Sequence, residues 1–243
     1  MANWKTYFSY HQTIAWLSAY KQSLLALAKN HTILICPSFD ALAFLANELQ
    51  KSSIMHGAQD CSDHNSGAYT GQVLAKSLYE LGCNYCIIGH SESSTSTTQN
   101  PDSVAQKAIN LLENRITPII CVGESKFDFD LNKGRQVIEQ QLICVIKYIT
   151  KHAVAHKHIA IAYEPLWMIG GNSSISSEYI IQQLELITHV AKERLPNFYT
   201  SLLYGGSVDE ITISKYKDIP LLDGVLIGKA STDFQRLEKI VLL

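Results

Sequence analysis

Residues 158–167 read His-Ile-Ala-Ile-Ala-Tyr-Glu-Pro-Leu-Trp, an apolar run that ends in a carboxylate. The run is nearly all apolar instead of alternating with polar residues, which is typical of a parallel strand covered on both faces. We therefore predict a buried strand over 158–164. Six other runs share this character and lie at 32–36, 55–58, 85–89, 117–123, 201–205 and 223–228. Together they predict a parallel sheet.

Longer amphipathic patterns separate these strands and predict helices. They cover residues 11–29, 39–51, 71–82, 102–114, 133–155, 176–195, 208–217 and 231–242, with Ser38, Ser207 and Ser231 as candidate N-caps. The first helix needs a strand before it, and only residues 1–4 remain to supply one. Because only Met1 and Ala2 precede Asn3, we expect a short first strand that leaves its neighbours partly unpaired, or a start further upstream.

The alternation of strands and helices determines the fold class. Eight strand–helix units in 243 residues, with no linker or shift in composition, predict an α/β fold. The expected architecture is a closed parallel (βα)8 barrel that forms a single domain over residues 1–243. An open, doubly wound sheet is the alternative, but no Gly-x-Gly-x-x-Gly follows any predicted strand.

The overall composition argues against several classes of protein. The formal net charge is -2 and no basic run is present, so we expect binding neither to nucleic acid nor to an anionic membrane. No signal-peptide pattern and no apolar stretch of membrane-spanning length occur, so we expect a cytoplasmic protein. The 6 cysteines are too sparse for a disulfide framework. Cys83 and Cys86 form a single Cys-x-x-Cys without further ligands nearby, so we expect core packing and no metal site.

Candidate catalytic residues follow the predicted strands, at the end where barrel enzymes carry their active sites. Glu164 ends the strand quoted above, and burial there would raise the pKa of its carboxyl group toward that of a general base. His90 follows another strand, and Asn3 and Lys5 follow the first. Each has an ordinary alternative, such as a salt-bridged Glu or a His satisfied in the core. Together, a carboxylate, a hydrogen-bond donor and a lysine suit enolisation, in which a carbon loses a proton while an oxyanion develops.

Glycines after the last two strands predict a phosphate site. Gly205-Gly206-Ser207 and Gly228 lie where barrels bind phosphate through backbone N–H groups, and glycine lets the chain approach an anion closely. The segment after Glu164 predicts a lid, because it combines a rigid proline end, an apolar middle and a flexible glycine end. It consists of Pro165, Leu166, Trp167, Met168, Ile169, Gly170 and Gly171. A long connection without a lid function is the alternative.

These residues lie in segments that resemble triosephosphate isomerases over essentially the whole chain. The segments are Asn3-Trp4-Lys5, Gly57-Ala-Gln59, Gly67-Ala-Tyr-Thr-Gly71, Ile88-Gly-His-Ser-Glu92, Cys121-Val-Gly-Glu124, Ala162-Tyr-Glu-Pro-Leu-Trp167, Tyr204-Gly-Gly-Ser207 and Asp223-Gly-Val-Leu-Ile-Gly228. Any one of them is a weak signal, but the whole series in the family's order is specific. The resemblance implies interconversion of the triose phosphates dihydroxyacetone phosphate and D-glyceraldehyde 3-phosphate through an enediolate. It also implies a homodimer that needs no metal or cofactor.

The resemblance further implies a role for each site residue. Glu164 would carry the proton, His90 would polarise the carbonyl as a neutral imidazole, and Lys5 would stabilise the enediolate and the phosphate. Asn3 and Glu92 would orient Lys5 and the substrate oxygens. The implied phosphate contacts are Gly170, Ser207, Gly228 and the backbone of Lys229, and Thr70 would contact the partner subunit.

The chain departs from the family's pattern at the expected subunit interface. Ser93 and Ser94 stand where the family usually has two arginines, and Gln72 and Gln99 stand where glutamates are usual. Charges lost together cost far less than a buried charge left alone, so we expect a homodimer that is weaker but still forms.

Two further departures concern the phosphate site and the lid. Lys229 replaces a second glycine, which its backbone tolerates without strain if its φ angle is negative. The distal lid hinge, Gly171-Asn172-Ser173, also differs from the family's pattern. Two alternative functions therefore stay open: an isomerase for another sugar phosphate, and a phosphate-binding barrel with impaired catalysis.

Overall fold

Eight parallel strands, arranged in chain order, form the frame of the molecule. The computed structural model describes residues 1–93, 100–169 and 175–243. The strands are β1 (Ala2–Asn3), β2 (Leu34–Cys36), β3 (Met55–Ala58), β4 (Tyr85–Ile88), β5 (Thr117–Val122), β6 (His158–Tyr163), β7 (Tyr199–Tyr204) and β8 (Gly224–Val225). Each strand pairs in parallel with the next one in sequence. The expected α/β barrel architecture is confirmed.

The sheet closes between its first and last strands. Ala2 forms a parallel bridge with Ile227. The Asn3 N–H donates to the Ile227 carbonyl at 2.8 Å, and the Ile227 N–H donates to the Met1 carbonyl at 2.9 Å. β1 is as short as expected, and it pairs with Ile35 and Cys36 of β2 on one side and with Ile227 on the other.

Eight α-helices of the described residues surround the sheet. They are α1 (Tyr10–Leu27), α2 (Phe39–Leu49), α3 (Ala75–Glu80), α4 (Pro101–Glu113), α5 (Lys126–Asp130), α6 (Gly134–Ile149), α7 (Ser177–Arg194) and α8 (Phe234–Leu242). Short 3-10 turns cover Leu166–Met168, Thr212–Lys215 and Lys229–Thr232. None of these helices is both long enough and apolar enough to cross a bilayer.

The predicted helix over 208–217 is wrong, because the Asp209 side chain accepts hydrogen bonds from backbone N–H groups at the start of this segment. The Asp209 carboxylate accepts hydrogen bonds from the N–H groups of Ile211 and Thr212 at 3.0 and 2.7 Å. Such local bonds satisfy the backbone in a turn and remove the advantage of a regular helix. A single 3-10 turn, Thr212–Lys215, is what remains.

The N-caps agree with the sequence only in part. Ser38 is the N-cap residue of α2 as predicted. Ser207 precedes no α-helix, and Ser231 lies inside a 3-10 turn. The cap of α8 is Asp233, whose carboxylate accepts hydrogen bonds from the N–H groups at 235 and 236. A carboxylate there also complements the helix dipole.

The strands bury both of their faces, which explains why their sequences are apolar throughout. Inward side chains fill the barrel, and they are Leu34, Cys36, Ile87, Ile119, Ala160, Ala162, Leu203 and Leu226. Alternate residues, such as Ile159, Ile161 and Tyr163 of β6, pack in the larger cluster between strands and helices. Because side chains alternate along a strand, the residue after Ala160 and Ala162 on the inward face is Glu164.

The two cysteines of the Cys-x-x-Cys are buried, free thiols in the larger core cluster. Burial raises the pKa of the Cys83 thiol to about 12, so this thiol is neutral and behaves as a small apolar group.

Candidate active site

A cavity of about 450 Å³ opens at the carboxyl ends of the strands. It is lined by most of the residues that the sequence singled out: Asn3, Lys5, His90, Glu92, Glu164, Ile169, Ser207, Gly228 and Lys229. Its size falls within the usual range for a small-molecule site. Residues far apart in sequence therefore meet at one end of the barrel, as strand ends in this architecture must.

Glycines at the strand ends give Glu164 its room. Gly205 follows β7, and a Cβ atom there would lie 2.7 Å from both Cγ and Oε1 of Glu164. Gly123 follows β5, and a Cβ atom there would collide with the Glu164 carbonyl. We expected Gly205 to serve the phosphate, but its nearest neighbour is the carboxylate of Glu164.

The carboxyl group of Glu164 is poised as a base at neutral to slightly alkaline pH. Its residue is only 3% exposed, and burial raises the pKa to about 8, although the Lys5 ammonium and the Cys121 thiol pull it down. Its Oε2 has no hydrogen-bond partner among the described residues. A buried carboxyl oxygen without a partner is costly, which is typical of a group kept for chemistry.

His90 faces Glu164 across the cavity, with Nε2 3.4 Å from Oε2 of Glu164. Gly89 at the end of β4 has a φ angle of 75°, a conformation that favours glycine and turns the chain so that His90 reaches the mouth. The Glu92 N–H donates to Nδ1 of His90 at 3.2 Å, so Nδ1 carries no proton and Nε2 carries it.

The electrostatic surroundings keep the His90 ring neutral. Burial lowers the pKa of His90, the Lys5 ammonium lowers it further, and the Glu92 carboxylate opposes the shift. A neutral imidazole with its proton on Nε2 can donate a hydrogen bond into the cavity without delivering a full positive charge there.

Lys5 is held in a strained conformation beside His90. Its φ angle is 45°, which costs on the order of 1–3 kcal/mol in a residue other than glycine. Oδ1 of Asn3 accepts from the Lys5 N–H at 3.1 Å, and Nε2 of Gln59 donates to the Lys5 carbonyl at 2.9 Å. Nζ of Lys5 pairs with Oε1 of Glu92 at 2.6 Å. Asn3, Gln59 and Glu92 therefore all contact Lys5.

Three of the predicted phosphate contacts, Ser207, Gly228 and Lys229, line the same cavity. Ser207 has a φ angle of 54°, and its hydroxyl donates to the Met168 carbonyl, a residue of the expected lid. A Cβ atom on Gly228 would lie 3.7 Å from Cε of Lys5, so the two residues are neighbours. The φ angle of Lys229 is not positive, so a lysine fits here without backbone strain even though the family usually has glycine.

The first part of the expected lid is tied to a buried carboxylate. Oε1 of Glu124 accepts from the Tyr163 hydroxyl at 3.1 Å, the Trp167 indole N–H at 3.4 Å and the Tyr179 hydroxyl at 3.4 Å. Burial raises the pKa of Glu124 above its ordinary value. Trp167 precedes the remaining lid positions and Tyr179 follows them in sequence. Gly170 and Gly171, with Asn172 and Ser173, lie outside the described residues.

The loop that carries Thr70 projects from the barrel, and residues 65–72 are exposed without interruption. The rings of His64 and Tyr69 stack at a centroid distance of 3.5 Å, and the Ser62 hydroxyl donates to Oε1 of Gln72. These two contacts brace the loop from within. Three other departures were expected to lie at a subunit interface. The Ser93 hydroxyl donates to the His90 carbonyl at 2.9 Å, whereas Ser94 and Gln99 lie outside the described residues.

Several residues of the site were missed from the sequence. Gln59 lies in a quoted segment, but nothing in the segment shows that its amide holds Lys5. Tyr7, Asp209 and Arg236 also line the cavity. Arg236 comes from α8, so only the fold reveals its position. Within the described ranges no group of three or more His, Cys, Asp or Glu is arranged to hold a metal ion.

Comparison with known proteins identifies close likenesses. The family model "Triosephosphate isomerase" matches residues 1–243. The chain is 37% identical over 235 residues to the triosephosphate isomerase of Nitrosococcus oceani, which covers 96% of this chain and 93% of that protein. It is 31% identical over 242 residues to that of Aquifex aeolicus, covering 99% and 96%. A crystal structure of triosephosphate isomerase from Bartonella henselae matches with a TM-score of 0.83 at 27% identity, covering 98% of this chain and 95% of the other.

Proposed function

This chain belongs to the triosephosphate isomerase family and interconverts dihydroxyacetone phosphate and D-glyceraldehyde 3-phosphate, and we propose that Glu164 and His90 carry out its proton transfers. The observation that supports this assignment best is the 3.4 Å approach of Nε2 of His90 to Oε2 of Glu164 in a buried cavity. One group takes a proton from carbon, and the other stabilises the oxygen beside it.

Glu164 acts first as the base. Its carboxylate removes a proton from the carbon next to the substrate carbonyl, and the electrons of that C–H bond form the C=C bond of an enediolate. A proton then passes from the hydroxyl oxygen of the enediolate to the oxygen that was the carbonyl. The carboxylic acid of Glu164 returns its proton to the neighbouring carbon as the other oxygen becomes the new carbonyl. The pKa of about 8 fits this double task, because such a group both accepts and releases a proton near neutral pH.

His90 and Lys5 stabilise the oxygen on which negative charge develops. The Nε2–H group of His90 donates a hydrogen bond to that oxygen. The Lys5 ammonium supplies positive charge, and its ion pair with Glu92 at 2.6 Å holds it in place. Donors fixed in place before the reaction need no reorganisation as the charge grows, which is the main source of such stabilisation.

Ser207, Gly228, the backbone of Lys229 and Gly170 are the proposed phosphate contacts. The Ser207 hydroxyl donates a hydrogen bond to the carbonyl of Met168, a residue of the lid. Because Ser207 is also a phosphate contact, phosphate binding and lid position are coupled in this proposal. Closure of the segment that begins at Pro165 would exclude water from the enediolate.

The test is a steady-state assay with D-glyceraldehyde 3-phosphate. Glu164→Asp keeps the charge but withdraws the carboxylate by one methylene, so kcat should fall at least about tenfold while inorganic phosphate inhibits as before. Turnover of only a larger sugar phosphate would favour the first alternative function. Phosphate binding without turnover would favour the impaired barrel.

We also propose a homodimer in which Thr70 contacts the partner subunit. The support is the exposed, internally braced loop over 65–72, which has the form of a segment that docks into another surface. Sedimentation at micromolar concentration should give twice the mass of the chain. A monomer alone would overturn this proposal, and Thr70→Arg should shift a dimer toward monomer.

A further inference from the structure

The charges that line the cavity are almost all paired. Nζ of Lys5 pairs with Oε1 of Glu92 at 2.6 Å. Arg236 pairs with Glu210 at 2.7 Å and with Asp209 at 3.9 Å. Each of these cations therefore already has a carboxylate beside it, and its attraction for an incoming anion is reduced accordingly.

Lys229 is the exception among the cations of the described cavity wall. Its residue is exposed, and no described carboxylate lies within ion-pair distance of its ammonium group. It follows Gly228, which packs against the Lys5 side chain. Lys229 thus lines the cavity next to Gly228 as an exposed cation without a described carboxylate partner.

We propose that the side-chain ammonium of Lys229 is a capture and specificity group for the phosphate dianion, separate from the backbone contact at the same residue. It attracts the dianion before docking and favours phosphorylated over unphosphorylated trioses. This proposal rests on the proposed function of the site. A single charge near a dianion, partly screened by solvent and salt, changes affinity by about three- to tenfold.

The side chain can be tested apart from the backbone. Lys229→Met keeps the backbone N–H and most of the stem length and removes only the charge, and the backbone conformation here accepts any L residue. Lys192→Met is the matched control: it removes the same charge from an exposed lysine in the last turn of α7, at the opposite end of the barrel. Lys229→Arg keeps the charge.

Titration calorimetry with inorganic phosphate provides the first readout. Lys229→Met should weaken phosphate binding by about three- to tenfold at low salt, and the difference should shrink at about 0.2 M salt. Lys229→Arg should bind within about twofold of wild type, and Lys192→Met should not change binding. Unchanged or tighter binding by Lys229→Met would overturn the proposal, since it would mean that the side chain is neutral or crowds the site.

Steady-state kinetics provide the second readout. KM for D-glyceraldehyde 3-phosphate should rise with the phosphate dissociation constant in Lys229→Met, whereas kcat should stay within about twofold, because capture precedes the chemical step. If kcat of Lys229→Met fell by as large a factor as KM was expected to rise, Lys229 would act on the reaction itself, which would contradict a capture role. Absence of isomerisation by the wild type would refute the proposed function, while the calorimetric comparison would still decide the role of Lys229.

Discussion

Replacing Glu164 with Gln should destroy activity and stabilise the fold at the same time. The amide has nearly the same shape as the carboxyl group but cannot take a proton from carbon, so kcat should fall by at least about a hundredfold. The stabilisation follows from burial, because the native barrel forces the carboxylate into a site that is only 3% exposed.

The size of the stabilisation follows from the pKa of Glu164. Folding raises it from 4.5 to about 8. Between these values the native state holds a proton that the unfolded state has lost, so stability falls as pH rises. The cost is absent below the unfolded pKa, grows by about 1.4 kcal/mol per pH unit and reaches about 3 kcal/mol at pH 7. It becomes constant once pH exceeds the folded pKa.

The assay is urea unfolding of both proteins at a series of pH values and one fixed protein concentration. Glu164→Gln introduces an amide whose hydrogen-bonding cost does not depend on pH, so the slope of the difference is the decisive quantity. The free energy of unfolding of Glu164→Gln should exceed that of wild type by an amount that increases between pH 5 and pH 8. Glu139→Gln, on the exposed side of α6, is the control that makes the same chemical change at the surface. A flat difference for Glu164→Gln would refute the argument from burial.

Two further predictions concern the base. Gly205→Ala places a Cβ atom 2.7 Å from Oε1 of Glu164, so kcat should fall at least about tenfold in a folded protein. Gly224→Ala, where the nearest atom is 3.4 Å away, should keep kcat within about twofold, and equal kinetics for the two variants would contradict the steric argument. The second prediction is that kcat/KM rises with pH and levels off near pH 8, because the free enzyme must lose the proton of Glu164. A profile that levels off below about pH 6 would show that Glu164 is ionised more easily than its burial implies.

The strands could be predicted from the sequence, and so could the position of a candidate site residue at the end of three of them. Runs such as Ile159–Ala162 are apolar on both faces, which is typical of a parallel strand covered on both sides. In this fold the barrel interior covers one face and the helix layer covers the other. Once β6 is placed, the inward position of Glu164 follows from the two-residue period of a strand. His90 and Lys5 followed from the same strand-end argument.

The contacts that orient these groups could not be read from the sequence. Gln59 reaches across the fold to the Lys5 carbonyl, and no local pattern specifies such a partner. The same holds for Arg236, which lines the cavity and pairs with Glu210. The helix predicted over 208–217 failed because the amphipathic pattern was present but the Asp209 side chain satisfied the backbone in a turn. Gly205 was expected to let a phosphate approach, but the group close to it is the Glu164 carboxylate. A glycine in a sequence indicates that another group comes close to the backbone, but it does not identify that group.

The usefulness of Glu164 as a base and its cost to stability have a common cause. One layer below the cavity, inward residues such as Ile119 and Leu203 fill the barrel. The next inward position is Gly205 on β7, whereas on β5 it is Cys121, which Gly123 follows two residues later. The two glycines leave the space that Glu164 occupies. A larger residue at either position would displace the carboxylate toward solvent, where its pKa would fall and the barrier to accepting a proton from carbon would rise. On the proposed role of Glu164, the barrel therefore keeps its base only while it also keeps a buried, partly unsatisfied carboxyl group, and a variant cannot lose one property and retain the other.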